Sequence, residues 1–255
     1  MSHWYDDKGK QHYGAGLKEA RENGYLPSVT TILKTIASPG LEQYKQNQMF
    51  EAVIEAQAEN FLYTDAELKK RAFEISKLHA RKAAQLGTVV HYMIADYLQG
   101  KPVHRLQSNK PQWVFAPVRD WIDENVSIIR AVESVVVNND LGYAGKSDLD
   151  CELKSGPTAI IDWKTQAIPP KYMKKDGQPQ KNRWYDTWLM QLVALERTSL
   201  EDCVLLSVMI GTHPENYGCW VRQWTREEKA QAWECFKAAL TIWRIKNKMP
   251  QRVLM

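Results

Sequence analysis

Gly142-Tyr143-Ala144-Gly145-Lys146-Ser147-Asp148 and, beyond a turn at Lys154-Ser155-Gly156-Pro157, Ile160-Ile161-Asp162-Trp163-Lys164-Thr165 decide how this chain is read. The first opens a strand running to Leu153, and the second belongs to a strand over Thr158 to Thr165. In a strand, residues i and i+2 point the same way, so Asp162 and Lys164 share a face while Ile161 and Trp163 take the other. The turn makes the two strands antiparallel neighbours and brings Asp148 of one and Asp162 of the other within reach of a single cation. Two carboxylates with one ammonium suit a hard divalent ion. Oxygen ligands select Mg²⁺ or Mn²⁺, such an ion polarises a phosphoryl oxygen and acidifies its water, and the lysine orients or deprotonates that water. The competing reading of Asp-x-Lys is an opposite-charge pair on a surface strand, and Asp150 and Glu152 read as solvent-facing charges.

Working outward, Ala131 to Val137 is β-branched and alternating, and Asn138-Asn139-Asp140-Leu141-Gly142 is a turn signal, which completes a three-strand meander. Upstream, Ser28 reads as the cap of a short helix through Leu33 that ends at Pro39-Gly40. Helices are expected from Leu41 to about Asn60, Asp65 to about Gln85, Gly87 to Leu98 (carrying His91) and Trp113 to Asn125 despite Pro117. A lysine-rich loop from Gln166 to Asn182 leads into a helix over Arg183 to Thr198. Strands over Cys203 to Ile210 and Gly218 to Trp224 follow, and Thr225 caps a last helix to about Lys248. This order predicts an α/β fold: a mixed sheet with a three-strand meander flanked by helices, plus a helical N-terminal region. The expected division is residues 1–85 for that helical region, packed on the core, and 86–255 for the core with its C-terminal helix.

Length and composition agree with a folded enzyme-sized chain. It has 255 residues, 44% of them hydrophobic, and ten tryptophans, which excludes a disordered or collagen-like protein. The longest apolar run, Cys203 to Gly211, is broken by Ser207 and falls well short of the ~20 residues of a membrane helix. With no apolar leader in Met1 to Asp7, the expected location is the cytoplasm, with no membrane partner. The four cysteines, Cys151, Cys203, Cys219 and Cys235, are widely spaced with no CxxC pair. With no export signal a disulfide framework is not expected, and that spacing argues against a zinc site and an iron–sulfur cluster.

Taken together, Gly142–Asp148 and Ile160–Thr165 resemble the core signature of the PD-(D/E)XK nuclease superfamily, in particular its RecB-type exonuclease branch. Two further motifs occur in the family's order: Gly87-Thr88-Val89-Val90-His91 on a helix, and Gln191-Leu192 on the helix after the Asp-x-Lys strand. Leu26 to Leu33 is similar to a segment of phage exonucleases and of mitochondrial genome maintenance exonucleases. The resemblance covers roughly residues 26–200. It implies a restriction-endonuclease-like core in which His91, Asp148, Asp162 and the backbone carbonyl of Trp163 bind one or two Mg²⁺ or Mn²⁺ ions. It further implies that Lys164 activates water and that Gln191 sits near the scissile phosphate. Glu133 matches a recurrent acidic position without an assigned role, and bracing its strand is one reading. Two features depart from the pattern: Leu195 stands where a tyrosine often follows the helix glutamine, and Ala95 where an acid often follows the histidine.

Gly145-Lys146-Ser147 also looks like the end of a phosphate-binding P-loop, but that loop needs glycine at Asp140 and a helix after the lysine. A strand follows instead, so an ATP-driven helicase is excluded. The net charge of +4 is equalled by Lys171 to Arg183 alone, where Lys171, Lys174, Lys175, Lys181 and Arg183 face one acid, Asp176. These cations are candidate DNA phosphate contacts, with Trp184 and Tyr185 as candidate stacking residues and Trp188 as core. Ser28 and Thr30 are either further phosphate contacts or a plain helix cap. The function expected is metal-dependent exonucleolytic hydrolysis from DNA ends, in phage-type recombination, replication or repair in a host cytoplasm. The resemblance adds a single-strand annealing protein as a partner. The alternatives are a structure- or site-specific endonuclease on the same core, and a non-catalytic DNA-binding recombination protein.

Overall fold

The computed structural model of the protein describes residues 3–36, 39–103, 110–196 and 203–250. In chain order it begins with β1 (Trp4–Tyr5), β2 (Gln11–His12), α1 (Leu17–Asn23), β3 (Leu26–Pro27) and α2 (Val29–Leu33). Two long helices follow, α3 (Pro39–Glu59) and α4 (Asp65–Leu98), and then α5 (Lys110–Asn125). The remainder is β4 (Val126–Asn138), β5 (Tyr143–Leu153), β6 (Thr158–Gln166), α6 (Asp186–Glu196), β7 (Val204–Gly211), β8 (Cys219–Gln223) and α7 (Arg226–Lys246).

The main sheet has the order β4-β5-β6-β7-β8. Its neighbours are antiparallel except β6 and β7, which run parallel. A parallel pair needs a crossover, and α6 supplies it. The mixed α/β sheet with a three-strand meander is therefore the architecture expected from the alternation of residues. Tyr143 ties β5 to α6, its buried hydroxyl donating to the Ala194 carbonyl at 2.9 Å, and its ring meets Phe236 of α7 edge-on. Gly145 allows that approach, because a Cβ there would lie 2.7 Å from Leu195 Cδ2. On α5, Trp121 stands edge-on to Trp163 of β6 at 5.9 Å.

Local signals set several boundaries. Ser28 accepts from the Thr31 N–H, and Thr225 and Glu228 form a reciprocal capping box on α7. Replacing Thr225 with alanine should lower stability by about 1 kcal/mol, read as a melting temperature lower by about 2–4 °C. An unchanged melting curve would mean the cap contributes nothing.

Other boundaries differ from the sequence reading. Pro39 starts α3 rather than lying beyond a helix end, as suits a residue whose missing N–H would be unpaired in a first turn anyway. The helices expected on either side of residue 86 are one, α4, of 34 residues. Gly87 is buried within it, and the penalty of one helical glycine, ~1 kcal/mol, is too small to end a helix bonded on both sides. Strand β4 starts five residues earlier than its alternating segment, across two register irregularities. Strands β1, β2 and β3 form a small sheet of two-residue strands, too short to carry a periodic signal.

The chain divides into two compact units, Met1–Thr35 with His91–Met255, and Ile36–Val90. This differs from a division at residue 85, since the first 35 residues belong with the sheet: Ala144 of β5 packs with Tyr5 and Leu26, and Ser28 bridges to Ala144. The second unit has its own small core of Ala52, Ala56, Ala72 and Ile75. No helix among the described residues is long and apolar enough to cross a membrane.

Candidate active site

The pairing of β5 with β6 runs from Glu152↔Thr158 to Leu149↔Ile161. One step beyond, Asp148 stands beside Asp162 and Trp163, and its Oδ2 accepts the Trp163 N–H at 2.9 Å. Asp162 is buried, at 2% exposure. Lys164, two residues on and on the same side of β6, places Nζ 2.9 Å from Asp162 Oδ1 and 2.7 Å from Oδ2. Gln191 of α6 closes a triangle: its Nε2 donates to Asp162 Oδ1 at 2.9 Å and its Oε1 accepts from Lys164 Nζ at 3.0 Å. The crossover helix thus adds a second hold on the lysine beside that of its own strand neighbour.

His91, on α4, lies with Nδ1 3.9 Å from Asp148 Oδ2. Glu133 of β4 joins them, and one ligand atom from each of His91, Glu133 and Asp148 falls within 4.8 Å of the others. Glu133 adopts a left-handed backbone, φ +55°, which is costly for a non-glycine residue. Its carboxylate is ion-paired with Lys146. The compact trio therefore contains Glu133, which sequence reasoning left without a role, while Asp162 is engaged by Lys164 and Gln191. The position of Glu133 across from Asp148 follows from strand register, which no single segment displays.

Burial dominates the electrostatics. It pushes the Asp148 carboxyl up to about 6, against the pull of Lys164 and the Trp163 N–H and with help from Glu133. It pushes Asp162 up to about 6 as well, where Lys164 opposes and Asp148 adds to the rise. Burial lowers the His91 pKa, with Asp162 opposing, which leaves a neutral imidazole with a free lone pair at neutral pH. Burial also works against the Lys146 ammonium, but Glu133, with Asp148 and Tyr5, raises that pKa.

Such a set fits a hard divalent cation. One neutral nitrogen and several carboxylate oxygens converge, and Glu133 helps raise the pKa of Asp148 as Asp148 does that of Asp162, as underneutralised charges do. The thiols suit a cluster or zinc less well. Cys151 and Cys203 are buried in or beside strands, and burial pushes Cys151 and Cys219 up to about 12, far from the thiolate form a metal needs.

The residues read as DNA contacts fall into two groups. Ser28 is buried and its hydroxyl is committed to Thr30, Thr31 and the cap of α2, so it is not presented at the surface, whereas Thr30 is exposed. Lys171, Lys174, Lys175 and Lys181 are exposed. Arg183 is half-buried, its guanidinium 3.3 Å from the centre of the Tyr172 ring. The lysine-rich segment is an ordered loop: Met173 bridges Pro179, short 3₁₀ turns flank it at Pro170–Tyr172 and Lys181–Arg183, and the Trp220 indole donates to the Gly177 carbonyl at 2.9 Å. Trp184, Tyr185 and Trp188 are half-buried and form an edge-to-face cluster.

No protein-family model and no curated protein matches the chain. Among solved structures, a candidate exonuclease from Eubacterium rectale is similar over 66% of this chain and 70% of its own, with 15% identity and a TM-score of 0.45. A second, SSO0001, is similar over 83% of this chain and 89% of its own, with 13% identity and a TM-score of 0.34. At these scores neither likeness bears on function, and the functional reading rests on the side chains of this chain.

Proposed function

We propose that the protein is a metal-dependent deoxyribonuclease of the PD-(D/E)XK superfamily, RecB-type branch, acting as an exonuclease on DNA ends in recombination, replication or repair. The observation that carries the reading is the placement of the Asp162–Lys164–Gln191 triangle beside the His91–Glu133–Asp148 trio, with their carboxylates on adjoining strands. His91, Asp148, Asp162, Glu133 and the Trp163 carbonyl are the groups that would hold Mg²⁺ or Mn²⁺. When bound, such an ion polarises a phosphoryl oxygen and acidifies a water at neutral pH.

The chain's own residues do the rest. Asp162 and Gln191 hold the Lys164 ammonium in one orientation, so that it directs the attacking water and meets negative charge developing on the phosphate. Gln191 positions Lys164. The neutral His91 keeps its lone pair for coordination, and the fixed Trp163 N–H keeps Asp148 from rotating out of the site. Lys171, Lys174, Lys175 and Lys181 bind the DNA backbone without reading sequence.

A time course on end-labelled single- and double-stranded linear DNA tests the reading, with Mg²⁺ or Mn²⁺, with EDTA, and with a covalently closed circle in parallel. Metal-dependent release of nucleotides from linear DNA, with the circle intact, is expected. Cutting of the circle would replace the exonuclease by an endonuclease, and DNA binding without hydrolysis under any metal would leave a non-catalytic recombination protein.

The exposed loop gives a separate expectation. Replacing Lys171, Lys174, Lys175 and Lys181 by glutamine should flatten the dependence of log Kd on log salt by about 0.7–0.9 for each phosphate left without its lysine. The measurement is fluorescence anisotropy from 50 to 200 mM salt. A slope unchanged from the parent would remove these lysines from the interface.

A further inference from the structure

We propose that α4, within the Ile36–Val90 unit, carries a binding stripe for the DNA sugar–phosphate backbone, formed by Lys69, Lys70, Lys77 and Arg81. The proposal rests on the reading of the protein as a DNA nuclease and names a second contact surface for that substrate.

Lys69, Lys70, Phe73, Lys77 and Arg81 are all exposed. At ~100° per residue they occupy an arc of ~120° on one side of the helix, and Lys69 to Arg81 spans ~18 Å along its axis. The other positions along this stretch of the arc, Ala66, Ala80 and Ala84, are small and uncharged, and no acid lies inside it. Charge segregation, not surplus, makes the stripe. Residues 36–90 contain seven acids and seven lysines and arginines, so the unit as a whole is neutral.

Six of the seven acids are engaged elsewhere, Glu51 by Gln48. Glu59 and Glu74 pair with Arg71, Glu42 with Lys45 and Glu55 with His79, and Glu67 accepts from Thr64. Among the described residues, Lys69, Lys70, Lys77 and Arg81 have no such partner. Four unpaired cations on a rigid helix already carry the cost of their mutual repulsion, which a polyanion relieves. A span of ~18 Å matches about five steps of duplex at 3.4 Å per step along one strand. Ala80 between Lys77 and Arg81, and Ala66 and Ala84 at the two ends, keep the arc low on either side of Phe73.

The test is duplex binding by the full chain, measured by anisotropy in EDTA across a salt series. It compares the parent, the variant K69Q/K70Q/K77Q/R81Q, and a control variant K18Q/K45Q/K237Q at lysines held in ion pairs. Glutamine keeps helix propensity, and circular dichroism checks the helix content. At least a tenfold loss of affinity at 50 mM salt is expected in the stripe variant, with a salt slope shallower by about 3–4 and a change under threefold in the control. Parent-like affinity and slope in the stripe variant would overturn the proposal.

Phe61 and Leu62, 87% and 89% exposed at the α3–α4 turn, make an acidic lipid surface the rival partner. Phosphatidylserine vesicles provide that arm: capture that depends on the stripe, with DNA binding unaffected, also overturns the proposal. If the parent binds DNA through the stripe but never hydrolyses it with Mg²⁺ or Mn²⁺, the stripe stands and the nuclease reading falls.

Discussion

Lys164→Ala should lower DNA hydrolysis by about 10²–10⁴-fold, the range for loss of a group that positions or moves a proton at the reacting centre. Two effects reinforce each other. The ammonium proposed to direct the water is removed, and Asp162 loses the cation that most strongly opposes its burial. The Asp162 carboxyl, already raised to about 6, then rises further and is protonated over more of the working pH range. The residual activity of Lys164→Ala should therefore show its acid limb at higher pH than the parent. A merely structural role would lower activity without moving that limb. The fold should survive, since Asp162 keeps its bond from Gln191 and can be protonated, and circular dichroism at neutral pH checks this. Activity within threefold of the parent would remove Lys164 from the mechanism.

Asp148→Asn should stabilise the metal-free protein at neutral pH while abolishing its response to divalent metal. The sign follows from linkage. Asp148 and Asp162 titrate near 6 in the fold against 3.8 as ordinary carboxyls, so folding favours their protonated forms. Below about pH 4 both folded and unfolded chains are protonated and the two groups cost nothing. Between about 4 and 6 the unfolded chain ionises first, and stability drains away as pH rises. Above about 6 the penalty is complete, on the order of 1–3 kcal/mol per carboxyl at 1.36 kcal/mol per pH unit. Asparagine at 148 removes one of the two charges and still offers an oxygen to the Trp163 N–H.

Thermal melts in EDTA should thus show the parent gaining stability from pH 7 to pH 5, with a smaller gain in Asp148→Asn. At pH 7 the variant should melt higher. Added Mn²⁺ should reverse the ranking, because an ion at 100 times its Kd stabilises the parent by about 2.7 kcal/mol. A variant that melts lower than the parent in EDTA, or responds to Mn²⁺ as the parent does, would contradict the assignment of Asp148 to a charge-starved metal site.

Much of the candidate site's strand pair was legible because strand periodicity is local. Asp162 and Lys164 share a face by the two-residue period, and the Lys154–Pro157 turn leaves one way to pair β6 with β5, which sets Asp148 beside them. Thr225 and Ser28 were legible as caps for the same reason, since a cap is closed within three residues. Glu133 was not, because its place across from Asp148 depends on the β4–β5 register set at the Asn138–Tyr143 pair five residues away, and its own backbone is left-handed. The fate of Ser28 was equally hidden: the same hydroxyl that marks a cap is buried by the packing of β3 and β5 around it.

By itself the sequence determined the local elements and the donor types: strands from alternation, helices from propensity and caps, and a set of carboxylates, an imidazole and a lysine able to hold and use a hard cation. Tertiary structure decided which of these meet. The parallel β6–β7 pairing requires the α6 crossover, and that crossover delivers Gln191 to Lys164. Sheet register delivers Glu133 to Asp148, and burial raises both aspartates to about 6. The reason is physical: a period or a cap depends on neighbours a few bonds away, whereas desolvation and convergence depend on segments distant in the chain.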